Sequence, residues 1–212
     1  MQTDQSQPTA TKCDRCGVAI QATTYSDNRG MCRPCRTRVP DRPTIENLLD
    51  SLDNLPPSVV SAMFGKFSKQ QPTLEAIPVL RRAIRLVDNA TAVNSAAISI
   101  RKLGSAATGL LPELFDAAYL LDCHRMPQSY PSCLEAIVAV DRMNEKTLPL
   151  ITHFVGIHNW IPISTSMKAL RTIGTDDALH LLKRIRDFWY CEFNKTQRRI
   201  SDELLAASGP PK

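Results

Sequence analysis

The sequence predicts an all-α fold, an α-solenoid of about four helical pairs behind a small N-terminal metal module. Three observations predict it. Four apolar strings, IPVLRRAIRLVD (77–88), LLPELFDAAYLL (110–121), LPLITHFVGI (148–157) and LHLLKRIRDF (179–188), align on Pro78, Pro112, Pro149 and Leu182, with spacings of 34, 37 and 33 residues. Between them sit partner strings with helical periodicity: VNSAAISIRKLG (93–104), SCLEAIVAVDRM (132–143) and ISTSMKALRTIG (163–174). The composition agrees, because 43% hydrophobic residues with only 6% aromatic and 8 Gly favour helix over sheet. A period of two helices per unit means that no single helix buries its own apolar stripe. Each needs a neighbour on both sides.

Residues 1–11 are polar and without periodicity, which predicts a disordered arm. Residues 12–38 hold Cys13, Cys16, Cys32 and Cys35, a C-x2-C-x15-C-x2-C pattern. Each C-x2-C turn can place two thiolates on one tetrahedral ion, and the spacer is long enough for a short hairpin between the pairs. Val18, Ile20, Thr23, Thr24 and Tyr25 give that spacer strand character, and Asp27-Asn28-Arg29-Gly30 reads as a turn. With every position filled by Cys no site remains for water. The expected ion is one structural Zn2+, not a catalytic one.

Residues 39–55 form a linker and a first helix. Arg36–Pro43 is basic and Pro-bounded, and Thr44 can cap a helix with the stripe Ile45, Leu48, Leu49 and Leu52. The repeat region, 56–207, opens with Ser58–Phe67. Its pairs carry Pro near the start of the second helix, where a missing N–H costs nothing, and Gly104 and Gly174 close two of the first helices. The unit around 130–157 has Asp141 and Met143 where that Leu-Gly stop belongs. Thr175 with Asp176 and Asp177 caps the last repeat helix, on which Leu182, Ile185, Phe188 and Trp189 read as the buried stripe. Ile100, Leu103, Leu170 and Ile173 are expected to be fully buried. A helix over 193–207 closes the array, and 208–212 is a frayed tail.

Two resemblances rest on these residues. The four-Cys segment resembles zinc ribbons and treble-clef knuckles, and CDRCGVAI with MCRPCRTR is similar to the DksA/TraR-type zinc finger, which implies zinc ligation by Cys13, Cys16, Cys32 and Cys35. Glu75-Ala76-Ile77-Pro78-Val79-Leu80, Ala96-Ala97 and Leu103-Gly104 resemble HEAT-like repeats of the phycobilisome-lyase type, over roughly residues 56–190. That resemblance implies a helical-repeat scaffold.

Charge is uneven. The formal net charge is +5, about +3 once four thiolates hold one Zn2+. Residues 1–42 carry 7 basic and 4 acidic side chains, residues 43–180 carry 12 and 13, and residues 181–200 carry 6 and 2. The middle is neutral and the ends are basic. Lys183, Arg184, Arg186, Lys195, Arg198 and Arg199, interleaved with Phe188, Trp189 and Tyr190, admit two readings: a solvated face, or a contact surface for nucleic acid or another partner. Arg81, Arg82 and Arg85 form a smaller cluster of the same kind. The chain has no Gly-rich phosphate loop, no H-E-x-x-H and no G-x-S-x-G. Cys123, Cys133 and Cys191 read as small core residues.

The expected function is therefore a non-enzymatic zinc-containing scaffold or adaptor that binds a protein partner. The alternative is a nucleic-acid-associated protein that uses the basic ends. No apolar run approaches the ~20 residues that span a bilayer, and MQTDQSQPTATK has no apolar signal core. No membrane partner and a cytoplasmic location are the expectation, and a reducing compartment fits cysteines used for metal.

Overall fold

The computed structural model describes residues 11–12, 14, 18–20, 38–120, 129–156 and 160–206. The chain divides into two compact units, Met1–Asp41 and Arg42–Lys212.

In the first unit β1 (Thr11–Lys12) pairs antiparallel with β2 (Ala19–Ile20), with Thr11 opposite Ile20 and Lys12 opposite Ala19. Thr11, expected as the last residue of the arm, is thus the first residue of a strand. Cys13, Cys16, Cys32 and Cys35 lie outside the described residues, as do 1–10 and the expected turn at 27–30.

The second unit is all helix and turn among its described residues. Its elements begin and end where local chemistry places them. Before α1 (Ile45–Asn54), Thr44 Oγ1 accepts from the Asn47 N–H at 3.2 Å while Asn47 Oδ1 accepts from the Thr44 N–H at 3.1 Å, so two orphan donors are satisfied reciprocally. α2 (Pro57–Phe67) starts on a proline. A 3-10 turn, Leu74–Ala76, leads into α3 (Ile77–Ile84), with Pro78 in its first turn. Asn89 caps α4 (Ala90–Leu103) by accepting from the Ala92 N–H, and the same side chain accepts from Ser61 and donates to the Pro57 carbonyl of α2. Gly104 ends α4 at φ 56°, the left-handed region that only glycine enters without strain. A 3-10 run over Gly104–Leu110 fills the expected connection to α5 (Leu111–Leu120).

The irregular unit solves its missing Leu-Gly stop in another way. α6 (Ser129–Val140) ends at Asp141, whose carboxylate accepts from the Met143 N–H and from Asn144 Nδ2, while Asn144 Oδ1 accepts from the Lys146 N–H. This pair of Asx turns bends the chain into α7 (Thr147–Phe154) without a left-handed residue. α8 (Trp160–Ile173) ends on Gly174 at φ 71°, and Thr175 Oγ1 caps α9 (Asp176–Trp189) at the Ala178 N–H with both expected acids in the first turn. α10 runs Lys195–Ala206, not from residue 193. The reason is a second reciprocal cap: Gln197 N–H donates to Asn194 Oδ1 and Asn194 N–H to Gln197 Oε1. Phe193 stays in the turn, buried against Trp160.

Each even-numbered helix packs on the next even one, α2 on α4, α4 on α6, α6 on α8 and α8 on α10. Odd helices flank that row, with α1 on α3 and α3 on α5. Tyr119 of α5 continues the flank against His153 and Phe154 of α7, at 5.4 and 6.2 Å between ring centroids. Trp189 Nε1 of α9 donates to the Val155 carbonyl at 3.0 Å. The core runs along the even row. Ala92, Val93, Ala96, Ala97 and Ile100 of α4 meet Tyr130, Cys133, Leu134, Ala136 and Ile137 of α6, all fully buried. Small residues on α4 let the two backbones approach, and Tyr130 fills the space on the other side against Phe154. Its hydroxyl is satisfied by Ser166 Oγ at 3.1 Å.

Two burial expectations change. Ile100, Leu170 and Ile173 are buried, but Leu103 is half-buried, because it lies on the last turn of α4 where the chain leaves the row. Ala107 and Leu110 of the following 3-10 run are the buried side chains at that end. On α9, Ala178, Leu182, Ile185 and Trp189 are buried while Phe188 is 72% exposed. At 100° per residue the four buried positions define a narrow stripe, and residue 188 lies roughly 80–90° round the helix from its centre.

The packing sets a graded expectation for stability. Ile137→Ala, at the middle of the row, should cost about 2–5 kcal/mol through lost transfer energy and a cavity, whereas Leu103→Ala should cost roughly 1–2 kcal/mol. Urea unfolding of both variants checks the order. Equal losses would mean that α4 and α6 do not form the centre of the core.

Candidate functional site: the C-terminal basic face and the four-cysteine module

The basic cluster read from the sequence is split by the structure into engaged and unengaged cations. Arg186, in the last turn of α9, donates Nε and Nη2 to Asp202 Oδ1 of α10 at 3.1 and 2.9 Å, and Nη1 to Asp187 at 2.7 Å. Hydrogen bonds to Asp187 and then Asp202 raise its pKa above the ordinary guanidinium value, so its charge is permanent. Its guanidinium lies 4.6 Å from the centroid of the Tyr190 ring, and that of Arg198 lies 5.2 Å from the same ring. Arg198 Nε and Nη2 donate to the Tyr190 and Cys191 carbonyls at 3.1 and 3.2 Å. A cation on the orphan carbonyls at the end of α9 also suits the negative end of its dipole. Tyr190 Oη donates to Asp202 Oδ2 at 3.3 Å, which closes a clasp between α9 and α10. Arg199 pairs with Glu203 one turn along α10.

Lys183, Arg184 and Lys195 are different. They are exposed, and none of the three makes a hydrogen bond or ion pair with another described residue. An open concavity of about 730 Å³ at this end is lined by Tyr190, Asn194, Lys195, Arg198, Arg199 and Asp202 among others. The smaller cluster is fully engaged: Arg81 and Arg85 both pair with Glu113 at 3.0 and 2.7 Å, Arg81 also donates to the Gly109 carbonyl, and Arg82 binds Asp53. These ties join α1 to α3 and α3 to α5. The Arg81 Nε contact is an ion pair by distance without hydrogen-bond alignment, and Glu113 Oε2 is buried without a partner.

What sequence reasoning missed here is the clasp. Asp202 on α10 and Tyr190, just past the end of α9, are 12 residues apart, and only the folded turn brings them together. The one local signal was the Asn194…Gln197 spacing, which starts α10 late enough for Arg198 to face back onto α9.

In the first unit Lys12 pairs with Ala19, and Cys13, Cys16, Cys32 and Cys35 lie outside the described residues. Among the described residues no three His, Cys, Asp or Glu side chains converge to hold a metal. Cys133 is buried as expected; Cys191 is exposed, because it sits in the α9–α10 turn. Cys123 lies outside the described residues. His153 stacks edge-on against Tyr119 and Phe154, and His180 is exposed on α9. No helix among the described residues is long and apolar enough to cross a membrane. No family model, curated protein or solved structure matches this chain.

The clasp yields a local expectation. Asp202→Ala removes the shared acceptor of Arg186 and Tyr190 and should release α10 from α9. The cost is about 1 kcal/mol, since these groups are half-exposed. Amide exchange should accelerate over residues 195–206 and stay unchanged in α4 and α6.

Proposed function

We propose that the chain is a non-enzymatic scaffold: a HEAT-like helical-repeat array that presents its surface to a protein partner, with an N-terminal module organised by one structural Zn2+. One observation carries this reading. The contacts between successive units recur at near-constant sequence separation, Arg85 with Glu113, Arg101 with Glu135, Asn94 with Ser132, Tyr130 with Ser166 and Val155 with Trp189, which are 28 to 38 residues apart. Regular separation of this kind is what a solenoid produces, because each unit touches only its neighbours. A solenoid exposes one face of every unit, and its use is extended contact.

In this reading Cys13, Cys16, Cys32 and Cys35 hold the metal, which supplies folding energy to a module with little apolar core. Thiolate ligands of that kind suit a reducing cytoplasm. The neutral charge of residues 43–180 favours protein over nucleic acid as the partner of the array itself.

Cross-linking in nuclease-treated extract of the native host, followed by mass spectrometry, tests the scaffold. The expected result is one recurrent protein cross-linked from several helical units. Cross-links confined to a single unit, or a partner lost on nuclease treatment, would overturn it. Elemental analysis of protein from zinc-replete growth should give one zinc per chain. Cys32→Ser should lose the metal and unfold residues 12–38, while the helicity of the rest persists. Well under one equivalent of metal in the unmodified protein would remove zinc from the proposal.

A further inference from the structure

On the outer face of α9, His180, Lys183, Arg184 and Phe188 fall at i, i+3, i+4 and i+8, one exposed stripe along two turns. Phe188 is the most exposed large apolar side chain among the described residues, at 72%. Its ring meets Trp189 edge-on, with centroids 5.1 Å apart and planes at 87°, so a neighbour steadies it while most of its surface faces solvent. Arg184 lies one turn from it, a rise of about 6 Å along the helix. Lys183, Arg184 and, across the turn, Lys195 are unengaged, whereas Arg81, Arg82, Arg85, Arg101, Arg186 and Arg199 are all paired with carboxylates. No carboxylate along the same helix forms an ion pair with Lys183 or Arg184: Asp187 pairs with Arg186, and Asp176 and Asp177 lie in the first turn beside the helix N-terminus.

We infer that this face of α9 is a contact site for single-stranded nucleic acid, with Lys183 and Arg184 on backbone phosphates and Phe188 as a platform for one base. The chemistry points there for two reasons. Unpaired cations match a backbone with a charge at every nucleotide, and a lone accessible aromatic gives a base somewhere to stack. An unstacked base has a free π face to offer, which a duplex does not. The site is short, so it serves one or two nucleotides and gives weak, sequence-tolerant binding. The inference stands apart from the scaffold reading, because it concerns the helix surface and not the array's protein partner.

Charge and stacking leave different signatures in one experiment. Fluorescence anisotropy of a labelled thymidine 20-mer would be followed with the full chain between 50 and 200 mM salt, with a polyglutamate of equal length as the charge-only probe. Two phosphate contacts give a log–log slope near −1.4 for a single strand, a loss of roughly 7-fold over that range. The double variant K183S/R184S should flatten the slope by about 1.4. F188A should weaken binding roughly 5- to 150-fold at every salt concentration while leaving the slope unchanged. Both variants alter exposed side chains, and an unchanged helical circular dichroism spectrum and melting temperature confirm that they fold. An F188A protein that binds the oligonucleotide as the parent does would overturn the inference. So would polyglutamate binding with equal affinity and equal sensitivity to F188A, which would give the face to an acidic protein segment. Tighter binding of a duplex of the same length would exclude base stacking.

Discussion

The burial of α6 between α4 and α8 is the contact on which the rest of the second unit depends. Its helices are 8 to 14 residues long, near or below the length at which an isolated helix persists in water. Each therefore owes its existence to the face a neighbour covers. α6 packs against α4, α5 and α8, and it contributes Tyr130, the largest fully buried side chain among the described residues. That ring does two things at once. It fills the volume next to Phe154 of α7, and its hydroxyl ties the row to α8 through Ser166. A buried hydroxyl with a partner is inexpensive; one without would be costly.

The polar chemistry on the flank follows from this row. Once the even helices fix the spacing, carboxylates and guanidinium groups on successive odd helices stand within reach, and Asp53–Arg82 and Glu113 with Arg81 and Arg85 form. The arginine of each pair is 42–64% exposed, so each pair contributes tenths of a kcal/mol and its role is registry more than stability. On the outer face of α9, Lys183 and Arg184 meet no carboxylate among the described residues. These cations remain unengaged there, and α10 binds only the inner side through Asp202.

Much of the architecture was legible in the sequence because it rests on local rules. Thr44 and Thr175 announced their helices by their side-chain oxygens, Gly104 and Gly174 ended theirs by the positive φ they can adopt, and the prolines marked first turns. Where the reading slipped, a non-local or angular term had decided. Phe188 has the right residue type for a stripe and the wrong angle. Leu103 has the right angle and sits at a row's end. Cys191 is small and apolar but occupies a turn. In the irregular unit Asp141 and Asn144 replaced the glycine stop by side-chain hydrogen bonds to the backbone, a solution that composition alone does not reveal.

The sequence by itself determined the all-α character of the second unit and the order of its helices, since period, caps and stops act within a turn or two of chain. It also set four cysteines in two C-x2-C pairs, which lie outside the described residues. The tertiary structure alone decided which charges are spoken for. Arg186 and Lys183 look alike in the sequence, three residues apart and only about 60° apart around one helix. One faces Asp202 across the α9–α10 turn and the other faces water. Whether a cation is free to meet a partner depends on what a distant segment brings opposite it, and helical period carries no information about that.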